Sequence, residues 1–188
     1  MADEQLHFTA DEQANRLLVE EPLALLIGFV LDQQVPLTRA FASPLELKRR
    51  LGSLDAAAIA AMNPDDLDAV FRQKPALHRF PSSMAKRTGE LCQVVAEDYG
   101  GDASRLWRDA ASGEELRDRI AALPGFGKMK IASLLAVLAK RLDVNPAGMD
   151  GVAPAHPTIG DVDSAAALES YQEHKRAMKQ AARAKRKA

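Results

Sequence analysis

Apolar residues recur along most of the chain at the spacing of three and four that is typical of amphipathic helices. No segment shows the apolar–polar alternation of a strand. The run from Leu17 to Leu31 is apolar on nearly every side, which predicts a helix at the centre of the core. Within that run, Glu20 and Glu21 precede Pro22, a pattern that also favours a helix start at the proline. The pattern predicts an all-α protein.

Capping residues and prolines mark the other predicted helices. Helices are predicted after Ser43-Pro44, Ser53, Asn63-Pro64, Ser82 or Ser83, and Ser164, and within "DASRLWRDA", "SGEELRDRIAAL" and "KMKIASLLAVLAKRL". Gly52 and the pair Gly100-Gly101 end two of them. From Asp143 to Asp163 the pattern fails, with three prolines and three glycines in 21 residues. A loop of that length inside a compact domain is often functional.

Composition narrows the class of protein further. With 188 residues, 47% of them apolar, the chain can bury one core. The lone cysteine, Cys92, excludes an internal disulfide and any four-cysteine iron–sulfur or zinc site, and its helical setting favours simple burial. No apolar run approaches a membrane span of about 20 residues, and "MADEQ" lacks the basic start of a signal peptide. We expect a cytoplasmic protein that makes no contact with a membrane.

The net charge of −1 is unevenly distributed. From Ala166 to Ala188 there are seven Lys and Arg residues against two Glu residues, whereas the rest of the chain carries a net charge of −6. We therefore divide the chain into a helical domain, residues 1–163, and a basic C-terminal helix or tail, residues 164–188. A basic tail on an acidic body is compatible with nucleic-acid binding but is not the pattern of a strongly basic DNA-binding domain.

The stretch "LPGFG", Leu123 to Gly127, lies between two predicted helices. Gly125 and Gly127 permit a close approach of another chain, and the amides of residues 125–128 stand at the start of the next helix. Together with Lys128 and Lys130, they suit a phosphate of a DNA backbone. An ordinary turn between two packed helices explains the same residues equally well.

The wider context resembles the helix-hairpin-helix DNA glycosylases of base excision repair, the HhH-GPD superfamily. "LxxLPGFGKxKIAxLL" is similar to the hairpin signature, "PLALLIGFVLDQQ" to an early helix that ends in a Gln pair, and "MAKRTGEL" to a helix with a basic pair. The order and spacing of these motifs match from about residue 17 to about residue 152. The resemblance implies a two-lobed helical bundle that binds duplex DNA, flips a damaged base and cleaves its N-glycosidic bond.

The resemblance also implies a catalytic aspartate beyond the hairpin, which stabilises positive charge on the sugar and positions water. "MDGV" offers Asp150 for this role, although it lies a few residues further from the hairpin than usual and "APAHPTIG" replaces the expected basic segment. An ordinary aspartate in a solvated turn is an equally good interpretation. Met129 stands where bifunctional members have a nucleophilic lysine, so monofunctional hydrolysis without Schiff-base chemistry is expected.

Other residues follow from the same resemblance. Gln33 and Gln34 match the Gln pair that lies near DNA, and a polar cap at a helix end is the alternative. Phe126 lies within the hairpin that contacts DNA. A monovalent cation at the hairpin carbonyls is implied, whereas an iron–sulfur cluster and any other metal site are not. Trp107 and Tyr99 are more typical of core residues than of base-stacking ones.

Three functional hypotheses stay open at this point. The first is a monofunctional DNA glycosylase, expected to act as a monomer. The second is a non-catalytic DNA-binding protein that keeps the hairpin but lacks the acid. The third is a helical interaction module in which the hairpin is a plain turn, as the acidic body suggests.

Overall fold

The computed structural model describes residues 1–187, apart from the side chains of Arg183 and of residues 185–187. In this part of the chain there are eleven α-helices and no β-strand, which confirms the all-α prediction. Their bounds are α1 Glu12–Glu20, α2 Pro22–Leu31, α3 Leu37–Leu51, α4 Ala56–Ala61, α5 Pro64–Arg72, α6 Pro81–Tyr99, α7 Arg105–Arg108, α8 Gly113–Ala121, α9 Lys128–Arg141, α10 Met149–Val152 and α11 Ala165–Lys187. A 3₁₀ turn, Ile159–Asp161, lies between α10 and α11. Four basic side chains of the predicted tail, those of Arg183, Lys185, Arg186 and Lys187, lie outside the described residues.

Helix α2 forms the centre of the core, as its sequence predicts, and every residue from Leu23 to Leu31 is buried. The prediction of one helix from Leu17 to Leu31 is wrong, however. The run is divided at Glu21, where the backbone is extended (φ −119°, ψ 98°). Pro22 occupies the first position of α2, because a proline disfavours helical backbone in the residue before it. The structure therefore confirms the helix start that Pro22 favours.

Helix α3 passes through Ser43 and Pro44, where the sequence predicts a cap and a new helix. The buried Ser43 hydroxyl lies 2.7 Å from the Arg39 carbonyl oxygen and 3.1 Å from that of Leu77. This side chain bonds the backbone of the preceding turn at the place where Pro44 contributes no amide. Gly52 ends α3 in the left-handed region, at φ 85°, as predicted.

Two other helix starts differ from the predicted caps. The cap of α4 is Asp55 rather than Ser53, and its carboxylate accepts a hydrogen bond of 2.8 Å from the Ala58 amide. Helix α6 begins at Pro81, ahead of the two serines that the sequence favours, because proline suits the first turn. The start of α5 is as predicted, with the Asn63 side chain accepting a hydrogen bond from the Asp65 amide.

The segment from 143 to 163 contains α10 and the 3₁₀ turn, where the sequence predicts irregular structure. The Thr158 hydroxyl accepts from the Gly160 amide (3.1 Å), and the Asp161 carboxylate accepts from the Thr158 amide (2.7 Å). These reciprocal bonds form a capping box. Gly160 lies directly against α9, since a Cβ there would stand 2.6 Å from the Ala136 carbonyl carbon. The segment is thus packed onto α9.

The packing of the helices places the α8–α9 turn against the end of α2. Helices α1, α2 and α3 pack on one another, α4 and α5 pack on α6, and α10 packs on α8. The Asp3 amide donates to the Arg141 carbonyl oxygen (2.7 Å) and so joins the N-terminal residues to the end of α9. The rings of Phe126 in the turn and Phe29 in α2 have centroids 6.2 Å apart. None of the helices in residues 1–187 combines the length and the hydropathy needed to cross a membrane.

Candidate functional site

The turn from Leu123 to Gly127 joins α8 to α9 in a tight bend. The Phe126 amide donates to the Leu123 carbonyl oxygen (3.3 Å), and Gly125 has φ 83°, which glycine adopts without steric cost. Gly127 precedes α9 with ordinary extended backbone (φ −87°, ψ 174°). Among the described residues, nothing lies within 4 Å of a Cβ built at either glycine. One side of the turn backbone is therefore open to another molecule.

The first amides of α9 are available for binding. Within residues 1–187 the backbone amides of Lys128, Met129 and Lys130 donate to no protein acceptor, and the first bond of the helix runs from Ile131 to the Gly127 carbonyl oxygen. Free amides at a helix start carry partial positive charge and attract anions. The exposed side chain of Lys128 adds a full charge beside them. The turn thus has the chemistry of a phosphate site.

The two apolar residues at this turn differ in exposure. Phe126 is only 7% exposed, because its ring packs toward Phe29, so its side chain does not face the open side. Met129, by contrast, is 82% exposed. An exposed methionine beside free amides offers an adaptable apolar contact. Bifunctional members of the family that the sequence resembles have a nucleophilic lysine at the position of Met129. In this structure the side chain at that position lies at the surface.

Gln33 is fixed by hydrogen bonds at both ends of its amide. Its Nε2 donates to the Val30 carbonyl oxygen (3.0 Å), and its Oε1 accepts from Arg87 Nη1 (2.7 Å). Gln34 is exposed and has a left-handed backbone at φ 55°, which is uncommon for a residue other than glycine and concentrates at functional sites. Of the two predicted DNA contacts, Gln34 is therefore the one whose side chain is directed toward solvent.

His78 also holds the Gln33 backbone. Its Nε2 lies 2.9 Å from the Gln33 carbonyl oxygen, and its Nδ1 accepts from the Phe80 amide (3.0 Å). Because Nδ1 accepts a hydrogen bond, the neutral ring carries its proton on Nε2. Nε2 therefore donates to the Gln33 carbonyl oxygen. Burial lowers the pKa of His78, which favours the same neutral form. Helix α6 and the residues before it thus fix the chain directly after α2.

Gln33 and the hairpin line one open groove of about 340 Å³. Its hairpin residues are Gly125, Gly127, Lys128, Met129 and Lys130. Met129 also borders a second groove, of about 360 Å³, whose far side includes Tyr171 and Lys175 of α11. A larger pocket of about 530 Å³ lies between α4, α5 and α6, away from every predicted site residue. The structure therefore brings Gln33 and the predicted glycines and lysines of the hairpin to the same groove.

Lys130 bridges α9 and α2 within this groove. Its Nζ lies 3.2 Å from the Val30 carbonyl oxygen, the same oxygen that Gln33 bonds. Burial lowers the pKa of Lys130 to about 8, the nearby Asp32 carboxylate opposes that shift, and the Arg87 guanidinium adds to it. A lysine with this pKa is charged at pH 7 and neutral at pH 9.

Asp32, directly after α2, is a residue that the sequence analysis misses. Its half-buried carboxylate forms no hydrogen bond or ion pair with any described residue. Burial raises the pKa of the Asp32 carboxyl group, whereas the ammonium groups of Lys175 and Lys130 lower it. Burial together with the Asp32 charge raises the pKa of Tyr171, and Lys175 Nζ lies 5.3 Å from the Tyr171 ring centroid. Lys130 and Tyr171, whose pKa values are shifted, line the two grooves, and titratable groups of this kind in a cleft are typical of functional sites.

Asp150 lies elsewhere in the molecule. It is an exposed residue of the four-residue helix α10, which packs against the start of α8. A Cβ on Gly113, the first residue of α8, would stand 2.8 Å from Met149 Cα. Since the nine residues of α8 span roughly 13 Å, Asp150 lies about one helix length from the hairpin turn. Of the predicted site residues, Phe126 and Gln34 lie beside residues of the groove without lining it, and Asp150 lies away from it altogether.

The other chemically notable side chains belong to the core. Cys92 is fully buried in α6, and burial raises the pKa of its thiol to about 12. Trp107 and Tyr99 are partly buried against the core cluster. Among the described residues, no three His, Cys, Asp or Glu side chains lie close enough together to hold a metal ion.

The fold and this groove define an all-helical protein with an open, amide-lined turn next to a cluster of charged residues. Comparisons with protein-family models, with curated proteins and with solved structures found no match to this chain.

The pKa of Lys130 predicts how anion binding at the groove depends on pH. Lys130, Arg87 and Lys175 attract a phosphate, whereas Asp32 repels it; Tyr171 and His78 stay neutral near pH 8. As the pH rises from 7 to 9, Lys130 loses its charge, which weakens attraction to a phosphate by about 1 kcal/mol, or about fivefold in affinity.

Binding of a fluorescently labelled polyphosphate, measured by anisotropy at both pH values, checks this prediction. Lys130→Arg is the matched variant, because its guanidinium keeps its charge throughout and should bind equally well at the two values. Lys130→Met should show the weaker, pH-independent affinity. Equal pH dependence in all three proteins would contradict the prediction.

Proposed function

We propose that this protein is a base excision repair protein of the HhH-GPD DNA glycosylase type, which binds duplex DNA as a monomer and cleaves the N-glycosidic bond of a damaged base. The observation that carries this proposal is the open hairpin, whose free amides lie in one groove with Lys128, Lys130 and the fixed Gln33. The HhH-GPD form of the all-α fold, with two lobes, is part of the proposal.

The hairpin would bind one phosphate of the DNA backbone. Gly125 and Gly127 leave space for the phosphate, the amides of residues 128–130 donate to its oxygens, and Lys128 neutralises its charge. Such contacts give affinity and register without selecting a base sequence. A monovalent cation would lie instead at the hairpin carbonyls, where the Leu123 carbonyl oxygen accepts one amide and keeps a second lone pair.

The neighbouring residues would examine the DNA. Gln34 is exposed and has an amide that both donates and accepts, so it suits the edge of a base or the gap left by a flipped one. Gln33 would act indirectly, since Arg87 and Val30 already occupy its amide. Flipping a base costs a few kcal/mol, least for a weakly paired one, which favours damaged sites.

A second function is favoured by one specific observation. Asp150, the aspartate that the resemblance marks as catalytic, is exposed on α10 and about one helix length from the hairpin turn. If no other acid replaced it, the chain would be a non-catalytic DNA-binding protein that uses the same hairpin.

Two measurements on the wild-type protein separate these functions. The first is binding to undamaged duplex DNA at about 50 and about 200 mM salt, where each neutralised phosphate contributes a slope of about −0.9 to the dependence of log affinity on log salt. We expect binding that weakens as salt rises. If no duplex binds even at low salt, both DNA functions are wrong and a helical interaction module is left.

The second measurement is base release from duplexes that carry alkylated, deaminated or oxidised bases. A glycosylase releases the free base and leaves an abasic site that hot alkali cleaves. Release from at least one lesion is the expected result. Salt-dependent binding without release from any lesion would instead support the non-catalytic DNA-binding protein.

A further inference from the structure

The geometry around the end of α2 points to an acid that differs from Asp150. Lys130 reaches across from α9 to the Val30 carbonyl oxygen at 3.2 Å, which fixes the hairpin helix to the last turn of α2. Asp32 follows that turn directly, two residues after Val30, and its carboxylate lies within electrostatic range of Lys130 and of Lys175 in α11. Gln33, the next residue, lines the hairpin groove, so Asp32 lies close to the place where the hairpin would hold a phosphate.

Asp32 is also free to react. Gln33, its neighbour, is held by Val30, Arg87 and His78, so the backbone that carries Asp32 has a fixed position. None of the hydrogen bonds and ion pairs among the described residues uses the Asp32 carboxylate. A half-buried carboxylate without a partner is costly unless a ligand or water meets it. Burial raises the pKa of the Asp32 carboxyl group, and the ammonium groups of Lys175 and Lys130 partly oppose that rise by favouring the ionised form.

On the basis of the proposed function, we propose that Asp32 is the catalytic carboxylate of this protein, acting on the sugar of a nucleotide whose phosphate is bound at the hairpin. As the bond between C1′ and the base breaks, its electron pair leaves with the base, and the Asp32 carboxylate stabilises the positive charge that develops on the sugar. The oxygen of a water molecule then bonds to C1′, and the proton that this water loses passes to Asp32. The base takes a proton from solvent, and Asp32 returns its proton to solvent.

This role is tested by binding, without the need for turnover. The probes are two duplexes that differ only at one position, where one carries a cationic pyrrolidine abasic analogue and the other a neutral tetrahydrofuran analogue. The wild-type protein should prefer the pyrrolidine duplex by about tenfold or more, because the Asp32 carboxylate attracts its charge. Asp32→Asn should lower that preference to about one while binding the tetrahydrofuran duplex as the wild type does.

Asp66→Asn is the matched control, since Asp66 is exposed on α5, a helix that packs on α3 and α6. It should keep the wild-type preference. If Asp32→Asn keeps the preference, or if Asp150→Asn loses it instead, the assignment of Asp32 is wrong. Wild-type protein that binds both duplexes equally would likewise overturn Asp32, whereas absence of all duplex binding would reject the proposed function itself.

A covalent trapping experiment tests whether a lysine amine, rather than water, attacks the sugar. Borohydride reduces a Schiff base between a lysine and an abasic sugar to a stable adduct. At pH 9, where Lys130 is neutral, no adduct with an abasic duplex is expected, because water rather than an amine attacks C1′. An adduct that Lys130→Arg abolishes would assign the attack to Lys130 and overturn the role of Asp32 in activating water.

Discussion

Replacing Gly127 with glutamate is expected to lower the affinity for duplex DNA by about 30-fold and to leave the fold intact. The substituted side chain has room, since nothing among the described residues lies within 4 Å of a Cβ at this position. The backbone also tolerates it, because φ −87° and ψ 174° are ordinary extended values. The carboxylate would stand beside the free amides of α9, where it occupies the phosphate site and repels the phosphate by about 2 kcal/mol.

Gly151→Glu is the matched control for that substitution. Gly151 is likewise exposed with open space around its Cβ position, but it belongs to α10, away from the hairpin. Both variants add one negative charge, so long-range repulsion is the same in both. Anisotropy measurements with one duplex should show a large loss for Gly127→Glu and little change for Gly151→Glu. Equal losses would mean that net charge, and not the hairpin, governs binding.

Local signals in the sequence predict most of the helices. Asn63 followed by Pro64 starts α5, and the Ser112 hydroxyl caps α8 by accepting from the Glu115 amide (3.1 Å), because each signal acts within three residues of itself. Ser43 with Pro44 fails as the same kind of signal. There a tertiary contact, the Ser43 hydroxyl 3.1 Å from the Leu77 carbonyl oxygen 34 residues away, keeps the serine inside α3.

The candidate site likewise has one part that the sequence predicts and one part that it does not. The hairpin is visible in the sequence, because two glycines and a following helix are local features. The cluster around Asp32 is not, since Gln33 meets Arg87 across 54 residues and Lys130 meets Val30 across 100. A usable signal does exist in the sequence: a charged residue directly after a helix that is apolar on all sides must face either solvent or a functional cleft.

The sequence predicts a long irregular loop between α9 and α11, and periodicity gives no sign that this segment packs on the neighbouring helices. Its attachment depends on close backbone contact at two glycines. Gly160 meets Ala136 of α9, and Gly113 of α8 meets Met149 of α10. Because glycine has no apolar side chain, a close backbone contact at a glycine leaves no trace in the hydrophobic pattern of the sequence. These contacts join the segment to both helices of the hairpin.

Gly160→Ala is therefore expected to be strongly destabilising, although it adds only one methyl group. Its Cβ would stand 2.6 Å from the carbonyl carbon and 2.7 Å from the carbonyl oxygen of Ala136, which are backbone atoms of a buried part of α9. Neither can move without displacing the helix, so the 3₁₀ turn must separate from α9. Overpacking of this kind costs about 3 kcal/mol, which corresponds to a fall of roughly 6–12 °C in melting temperature for a domain of this size.

Chemical denaturation followed by circular dichroism measures this loss, with Gly151→Ala as the matched control. Both substitutions add one methyl group to a glycine of the same segment, but at Gly151 the Cβ meets nothing within 4 Å among the described residues. The control should be as stable as the wild type or slightly more so, since alanine restricts the unfolded chain. If Gly160→Ala unfolded at the same denaturant concentration as Gly151→Ala, the segment would not be held against α9 in solution. The hairpin would then lack the support that fixes its second helix beside α2 and holds its amides in place for a phosphate.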